Sequence, residues 1–255
     1  MSESSPSQPE LAPPASKQPE SGLPLRRIKT FVKRAGRTTF GQARAYELFG
    51  PQYLVPYKAQ LVEPSSLFAP SSEPRKTVLE IGFGMGETTA HIAQVLPEVN
   101  FLCCEVHEPG VGALLKRAGE AGIENIRIIA HDAVEVLEQM LPAAQADGSG
   151  ALLDGVHIFF PDPWHKTKHN KRRLIQPALV AKLAARLKPG GYIHCATDWE
   201  PYAQQMLEVL SANAQLKNTA EGYAPQPDYR PLTKFENRGL RLGHGVWDLV
   251  FTRQS

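Results

Sequence analysis

Five short apolar runs punctuate the middle of this chain, at residues 77–81, 101–105, 126–130, 156–160 and 192–196. Segments with helical patterning separate them: one opening near Glu87, then 109–119, 133–140, 173–187 and 201–210. Parallel neighbours need a crossover long enough to hold a helix, so this alternation predicts an α/β fold with a parallel sheet covered on both faces. A last apolar run, 246–252, follows the glycine-rich stretch 238–245 and predicts an antiparallel terminal pair. No internal repeat is visible.

The ends of the chain differ from this middle. Residues 1–24 are rich in Ser, Pro, Gln and Glu and predict a disordered tail. The tail also accounts for a hydrophobic content of 42%, low for a packed core. Residues 25–76 form a basic arm and lead-in, carrying Arg26, Arg27, Lys29, Lys33, Arg34, Arg37 and Arg44 with Phe31 and Phe40 interleaved. Such an arm either covers the core with its apolar residues or neutralises phosphates. The domain proper is expected over 77–255.

Net charge is only +2, so the distribution of charge matters more than its sum. No acid falls within 25–44 or 163–197. Three cysteines, Cys103, Cys104 and Cys195, lie in the apolar runs, with no C-x-x-C pair. That usage predicts reduced thiols filling the core of a cytoplasmic protein. The N-terminus is too polar for a signal peptide, and no apolar run approaches the ~20 residues of a membrane span.

Chemistry concentrates in two places. Glu80-Ile81-Gly82-Phe83-Gly84-Met85-Gly86 follows a predicted strand and opens a helix, where glycines permit a tight turn and close approach to a ligand. Glu105 ends the next strand, placed to hold ribose hydroxyls, and Asp132, after His131, can accept from an adenine amino group. The spacing G-x-G-x-G differs from the dinucleotide fingerprint, and the carboxylate of Glu80 beside the turn would repel a pyrophosphate. A cofactor with adenine, ribose and a positive centre fits, which is S-adenosylmethionine. A purely structural turn and a nicotinamide dinucleotide site are the competing readings.

The second place is the run from Phe159 to Arg173. Asp162 stands between Pro161 and Pro163, which fix their own φ and push the preceding residue towards extended backbone. Trp164 follows, free either to stack on a base or to pack on the domain surface. Lys166, Lys168, His169, Asn170, Lys171, Arg172 and Arg173 make a cationic track suited to an RNA backbone. His165 and His169 are four apart, but the lysines around them disfavour a dication, and no metal is expected. Asp198 ends the fifth strand at the same sheet edge, as a ligand residue or as a helix N-cap.

With Pro161 to Lys166 the chain resembles the bacterial tRNA (guanine-N7-)-methyltransferases. The likeness runs roughly from Arg27 to Phe251. It is carried by Glu80 to Glu87, Glu105, His131-Asp132, Lys171-Arg172-Arg173, Thr197-Asp198, Thr233-Lys234-Phe235-Glu236 and Arg241 to Leu249. The long N-terminal extension and the small-residue loop 143–150 depart from the family pattern, away from these motifs. The resemblance implies a Rossmann-like class I methyltransferase sheet, mostly parallel with an antiparallel C-terminal strand and helices on both faces. It implies that Glu80, Gly82, Gly84, Gly86, Glu105, Asp132 and Asp162 bind S-adenosylmethionine, with Asp162 also catalytic. Lys166, Asp198, Thr233, Lys234, Phe235 and Glu236 would hold the substrate, a guanine in the variable loop of tRNA. Lys168 to Arg173 would contact the RNA. Neither a membrane nor an obligatory protein partner is implied, and a monomer or homodimer is expected. The competing functions are methylation of another RNA or a small molecule, and RNA binding without catalysis.

Overall fold

Each run of the alternation is a strand in the computed structural model, which describes residues 31, 37–144, 150, 152–232, 236 and 245–255. The expected tail and most of the basic arm lie outside these residues, as does most of 143–150. The strands are β1 (Lys76–Ile81), β2 (Val99–Cys104), β3 (Ile126–Ile129), β4 (Leu153–Phe159), β5 (Leu187–Thr197), β6 (Leu216–Asn218) and β7 (Trp247–Arg253). They form one sheet in the order β3-β2-β1-β4-β5-β7-β6. The first five are parallel, while β7 pairs antiparallel with both β5 and β6. Strand order reverses beside β1, between β2 and β4, so the crevice at the carboxyl ends of these strands is where a ligand is expected.

The crossovers are α2 (Glu87–Val95), α3 (Glu108–Ala121), α4 (Ala133–Gln139), α5 (Pro177–Ala184) and α6 (Glu200–Ser211), with α1 (Phe40–Tyr53) preceding the sheet. Two apolar clusters fill the space between helices and sheet. One joins α4, α5 and α6 to Leu79, Val156 and Ile193; the other joins α1, α2 and α3 to Val78, Phe101 and Ile128. Strand β1 is buried on both faces from Thr77 onward, as parallel sheets require. Cys103, Cys104 and Cys195 are buried free thiols within these layers. Among the described residues no helix is long and apolar enough to cross a membrane.

Three elements differ from the sequence expectation. α1 was hidden inside a segment that reads as basic arm, because Gly41, Gly50 and Pro51 weaken its pattern. Its signal is a capping box: the Thr39 side chain accepts from Gln42 N, and the Gln42 side chain accepts from Thr39 N at 2.8 Å. The helix expected over 173–187 begins only at Pro177, where a missing N–H is harmless. The preceding Thr167–Arg172 winds as a short 3-10 helix instead. Strand β5, expected over 192–196, starts at Leu187 and takes in Lys188-Pro189-Gly190-Gly191, and its register against β4 shifts between Leu153 and Gly155.

Candidate active site

The glycine turn connects β1 to α2 at the switch point. Gly82, Gly84 and Gly86 all take left-handed φ, at 78°, 56° and 71°. Gly86 is the N-cap of α2, and a Cβ there would lie 2.7 Å from Leu114 Cβ of α3. Gly110 was not singled out in the sequence; a Cβ on it would reach 2.1 Å from the Gly84 carbonyl oxygen. The first turn of α3 thus presses against the glycine turn, and only a hydrogen fits between them. A Cβ on Gly82 or Gly84 would meet nothing within 4 Å, so both face open space.

Glu105 follows β2 and fastens this turn from the side. Its carboxylate accepts from Gly84 N at 2.9 Å and from Val106 N and His107 N at 2.6 and 2.9 Å. Asp132 caps α4, accepting from Val134 N at 2.9 Å. Beside it the His131 ring stacks on Tyr57, centroids 3.7 Å apart, and its Nε2 meets Glu135 at 2.5 Å. Tyr57 carried no sequence signal, since it sits in a proline-punctuated connection.

Glu105, Asp132 and Asp162 line one cavity of about 280 Å³ together with Gly82, Gly84 and Phe160. An adjoining cavity of about 660 Å³ shares Phe31, Glu105, Val106, His131 and Asp132. No lysine or arginine lines either among the described residues. This lining fits S-adenosylmethionine: carboxylates for hydroxyls and an amino group, negative potential for a cation, and among the described residues no basic side chain for a pyrophosphate.

Glu80 stands elsewhere. It faces inward from β1, 3% exposed, accepting from the Thr89 hydroxyl at 2.9 Å, and is not among the lining residues. Burial pushes its carboxyl up to about 7, with Glu105 adding to the rise and the Thr89 hydroxyl opposing it. The charge expected beside the turn is therefore held behind it and is only partly ionised near neutrality.

Asp162 is exposed at the cavity mouth on a strained segment. Phe160 and Trp164, two residues either side of it, have φ of 50° and 46°, a region costly for large side chains. For Phe160 this replaces the extended backbone expected before a proline. Phe160 N still donates to Ala196 O at 2.8 Å, which fixes where the segment leaves the sheet.

The cationic track divides. Lys166, Lys168 and Lys171 are exposed. Arg172 lies over the Trp164 ring at 4.4 Å, and His169 meets that ring edge-on at 5.9 Å. Trp164 is thus packed by its own loop. Asn170 is half-buried, its carbonyl accepting from Gln176 Nε2 at 3.1 Å. Arg173 differs from the exposed lysines of the track, because its side chain is buried. Its guanidinium donates to Pro163 O at 2.8 Å and Gln205 Oε1 at 2.6 Å, tying the Asp162 loop to α6. The two histidines diverge, His165 packing edge-on against Trp199 at 4.3 Å.

Asp198 is exposed beyond β5, and the N-cap of α6 is Trp199, so Asp198 does not cap that helix. Thr233, Lys234 and Phe235 lie outside the described residues. Glu236 is buried against Arg230, which no sequence pattern singled out.

Strand order, glycine turn and acid-walled cavity together define a Rossmann-like methyltransferase. A family model described as "Putative methyltransferase" matches residues 74–249. A tRNA (guanine-N(7)-)-methyltransferase of Acidovorax sp. (strain JS42) is 73% identical over 89% of this chain and 86% of its own. That of Albidiferax ferrireducens is 64% identical over 92% and 99%. The chain belongs to the tRNA (guanine-N(7)-)-methyltransferase family. Among solved structures, the 16S rRNA methyltransferase KamB aligns over 91% of this chain and 100% of its own, with a TM-score of 0.51. At 16% identity that likeness speaks for the fold alone.

Proposed function

We propose that this chain transfers a methyl group from S-adenosylmethionine to N7 of a guanine in the variable loop of tRNA, forming 7-methylguanosine. The observation that carries this reading is Asp162, held on a strained, proline-flanked turn at the mouth of the cavity that Glu105 and Asp132 also line. The relatives' names supply the RNA, the base and the atom.

Glu105 and Asp132 would hold ribose and adenine, and the open faces of Gly82 and Gly84 would admit the backbone-close part of the ligand. Gly86 and Glu80 serve from behind, one by letting α2 start, the other by its charge. S-adenosylmethionine, when bound, supplies an electrophilic methyl on a positively charged sulfur. Guanine N7 has an in-plane lone pair and no proton at neutral pH, so nothing needs to be deprotonated for it to attack. Asp162 then has an electrostatic task. It orients the guanine and offsets the positive charge that grows on its imidazole ring, an interaction stronger in the transition state than before it.

Lys166, Lys168 and Lys171 would take phosphates, with Arg172 and His169 holding the Trp164 platform between them. Asp198 and Glu236 would accept from the guanine, with Thr233, Lys234 and Phe235 completing the substrate side. Residues 77–255 would form the methyltransferase domain and 25–76 a basic lead-in. The protein would work on tRNA in the cytoplasm, as a monomer or homodimer, without an obligatory partner. Incubation with unmodified tRNA and methyl-labelled cofactor, followed by digestion, should yield labelled 7-methylguanosine. Label in another nucleoside, or none, sinks the proposal.

A further inference from the structure

The face of β4, β5 and β7 that carries His157, His194 and Asp248 holds a buried polar cluster. Its centre is Arg230, whose side chain is completely buried. Nε and Nη2 donate to the two oxygens of Asp248 at 2.8 and 2.7 Å, and Nη1 donates to Glu236 Oε1 at 2.5 Å. The remaining groups brace Asp248 and the segment carrying Arg230. His194 Nε2 donates to Asp248 Oδ1 at 2.7 Å, and His194 Nδ1 accepts from the Tyr229 hydroxyl at 2.7 Å. The Tyr229 ring stacks on His157, the two planes nearly parallel at 7°. Arg230 also lies over the Phe160 ring at 5.6 Å.

One guanidinium therefore touches three things: a strand of the sheet, the carboxylate assigned to the guanine, and the residue that opens the Asp162 turn. A planar fork with five donors can serve two carboxylates at once, whereas an ammonium cannot reproduce that geometry. A residue kept only for stability would not need to join these particular groups. Replacing a buried ion pair by apolar side chains is often neutral or stabilising, so the arrangement has poor value as a staple.

We propose that Arg230 is a positioning residue for the methyl transfer, fixing Glu236 and the Phe160–Asp162 turn on the common frame of Asp248 and thereby setting the orientation of the bound guanine. The inference rests on the proposed tRNA methylation. It assigns Arg230 no contact with the reacting atoms.

The test is a cycle of Arg230→Met, Glu236→Gln and the double variant. Turnover and KM are measured on unmodified tRNA, cofactor affinity by calorimetry, and folding by circular dichroism. A misplacement of about 1 Å costs about 100-fold. Each single variant should lose turnover on that order while cofactor affinity stays within about threefold, and the double should be no worse than about threefold below the poorer single. Independent, multiplicative losses, or wild-type turnover in a folded Arg230→Met, overturn the inference. Should Arg230→Met fail to fold, Arg230→Lys carries the test, since it keeps the charge without the fork. Lost turnover with intact cofactor affinity in that variant supports the inference, and wild-type turnover overturns it. Absence of transfer by the unaltered chain would instead overturn the proposed function.

Discussion

Replacing Glu80 with glutamine separates a buried charge from the fold around it. The folded chain holds the Glu80 proton up to about pH 7, because burial opposes ionisation, whereas the unfolded chain releases it near 4.5. Between those values the folded state binds more protons, so stability falls as pH rises. At 1.36 kcal/mol per pH unit the full effect is about 3 kcal/mol, most of which falls between pH 5 and pH 8. Urea unfolding of the cofactor-free protein at several pH values reads this directly. The wild type should lose about 2–3 kcal/mol relative to Glu80→Gln across that range. The Thr89 hydroxyl can donate to the amide oxygen as it does to the carboxylate, so the packing survives. A cationic cofactor favours the ionised carboxylate, so wild-type affinity for S-adenosylmethionine should rise from pH 6 to pH 8 and the variant's should not. Superimposable pH profiles of stability in the two proteins would refute the assignment of a raised Glu80 carboxyl.

Asp162→Asn should lower turnover by about 10²–10³-fold while cofactor affinity stays within a few-fold, as expected for an electrostatic residue at the reacting end; near-normal turnover would contradict it. Neutralising Lys166, Lys168 and Lys171 together should reduce the slope of log affinity for tRNA against log salt by about 2–3, and an unchanged slope would remove these residues from the RNA contact. Gly86→Ala puts a Cβ into Leu114 at a left-handed φ of 71°. The strain and overlap together should cost about 2–4 kcal/mol in urea unfolding, and wild-type stability would contradict the packing described for α3.

The cofactor half was legible because its signals are local. A strand, a glycine turn and acids at strand ends occupy short stretches whose spacing survives in the fold, and Glu105 and Asp132 stand where that spacing puts them. What the sequence could not disclose was direction. Glu80 sits one strand position from Ile81, which lines the cavity, yet successive side chains of a strand point to opposite faces and Glu80 turns to Thr89. Arg173 reads like the arginine before it, and only the meeting of the Asp162 loop with Gln205 of α6 buries it. Arg230 was invisible for the same reason: its partner Asp248, eighteen residues on, becomes a neighbour only when β7 inserts beside β5. Helix α1 is the opposite case, since its capping box stood in the sequence beneath a more conspicuous run of positive charge.

The central claim is attack by guanine N7, and removing that atom tests it most directly. Unmodified tRNA transcribed with 7-deazaguanosine in place of guanosine keeps the phosphates that Lys166, Lys168 and Lys171 would grip, but it offers a carbon where the lone pair should be. Methyl transfer from labelled S-adenosylmethionine should fall to background on this RNA, while it still competes with ordinary tRNA for the enzyme. Undiminished labelling of the 7-deaza transcript would place the reaction on another atom and contradict the account.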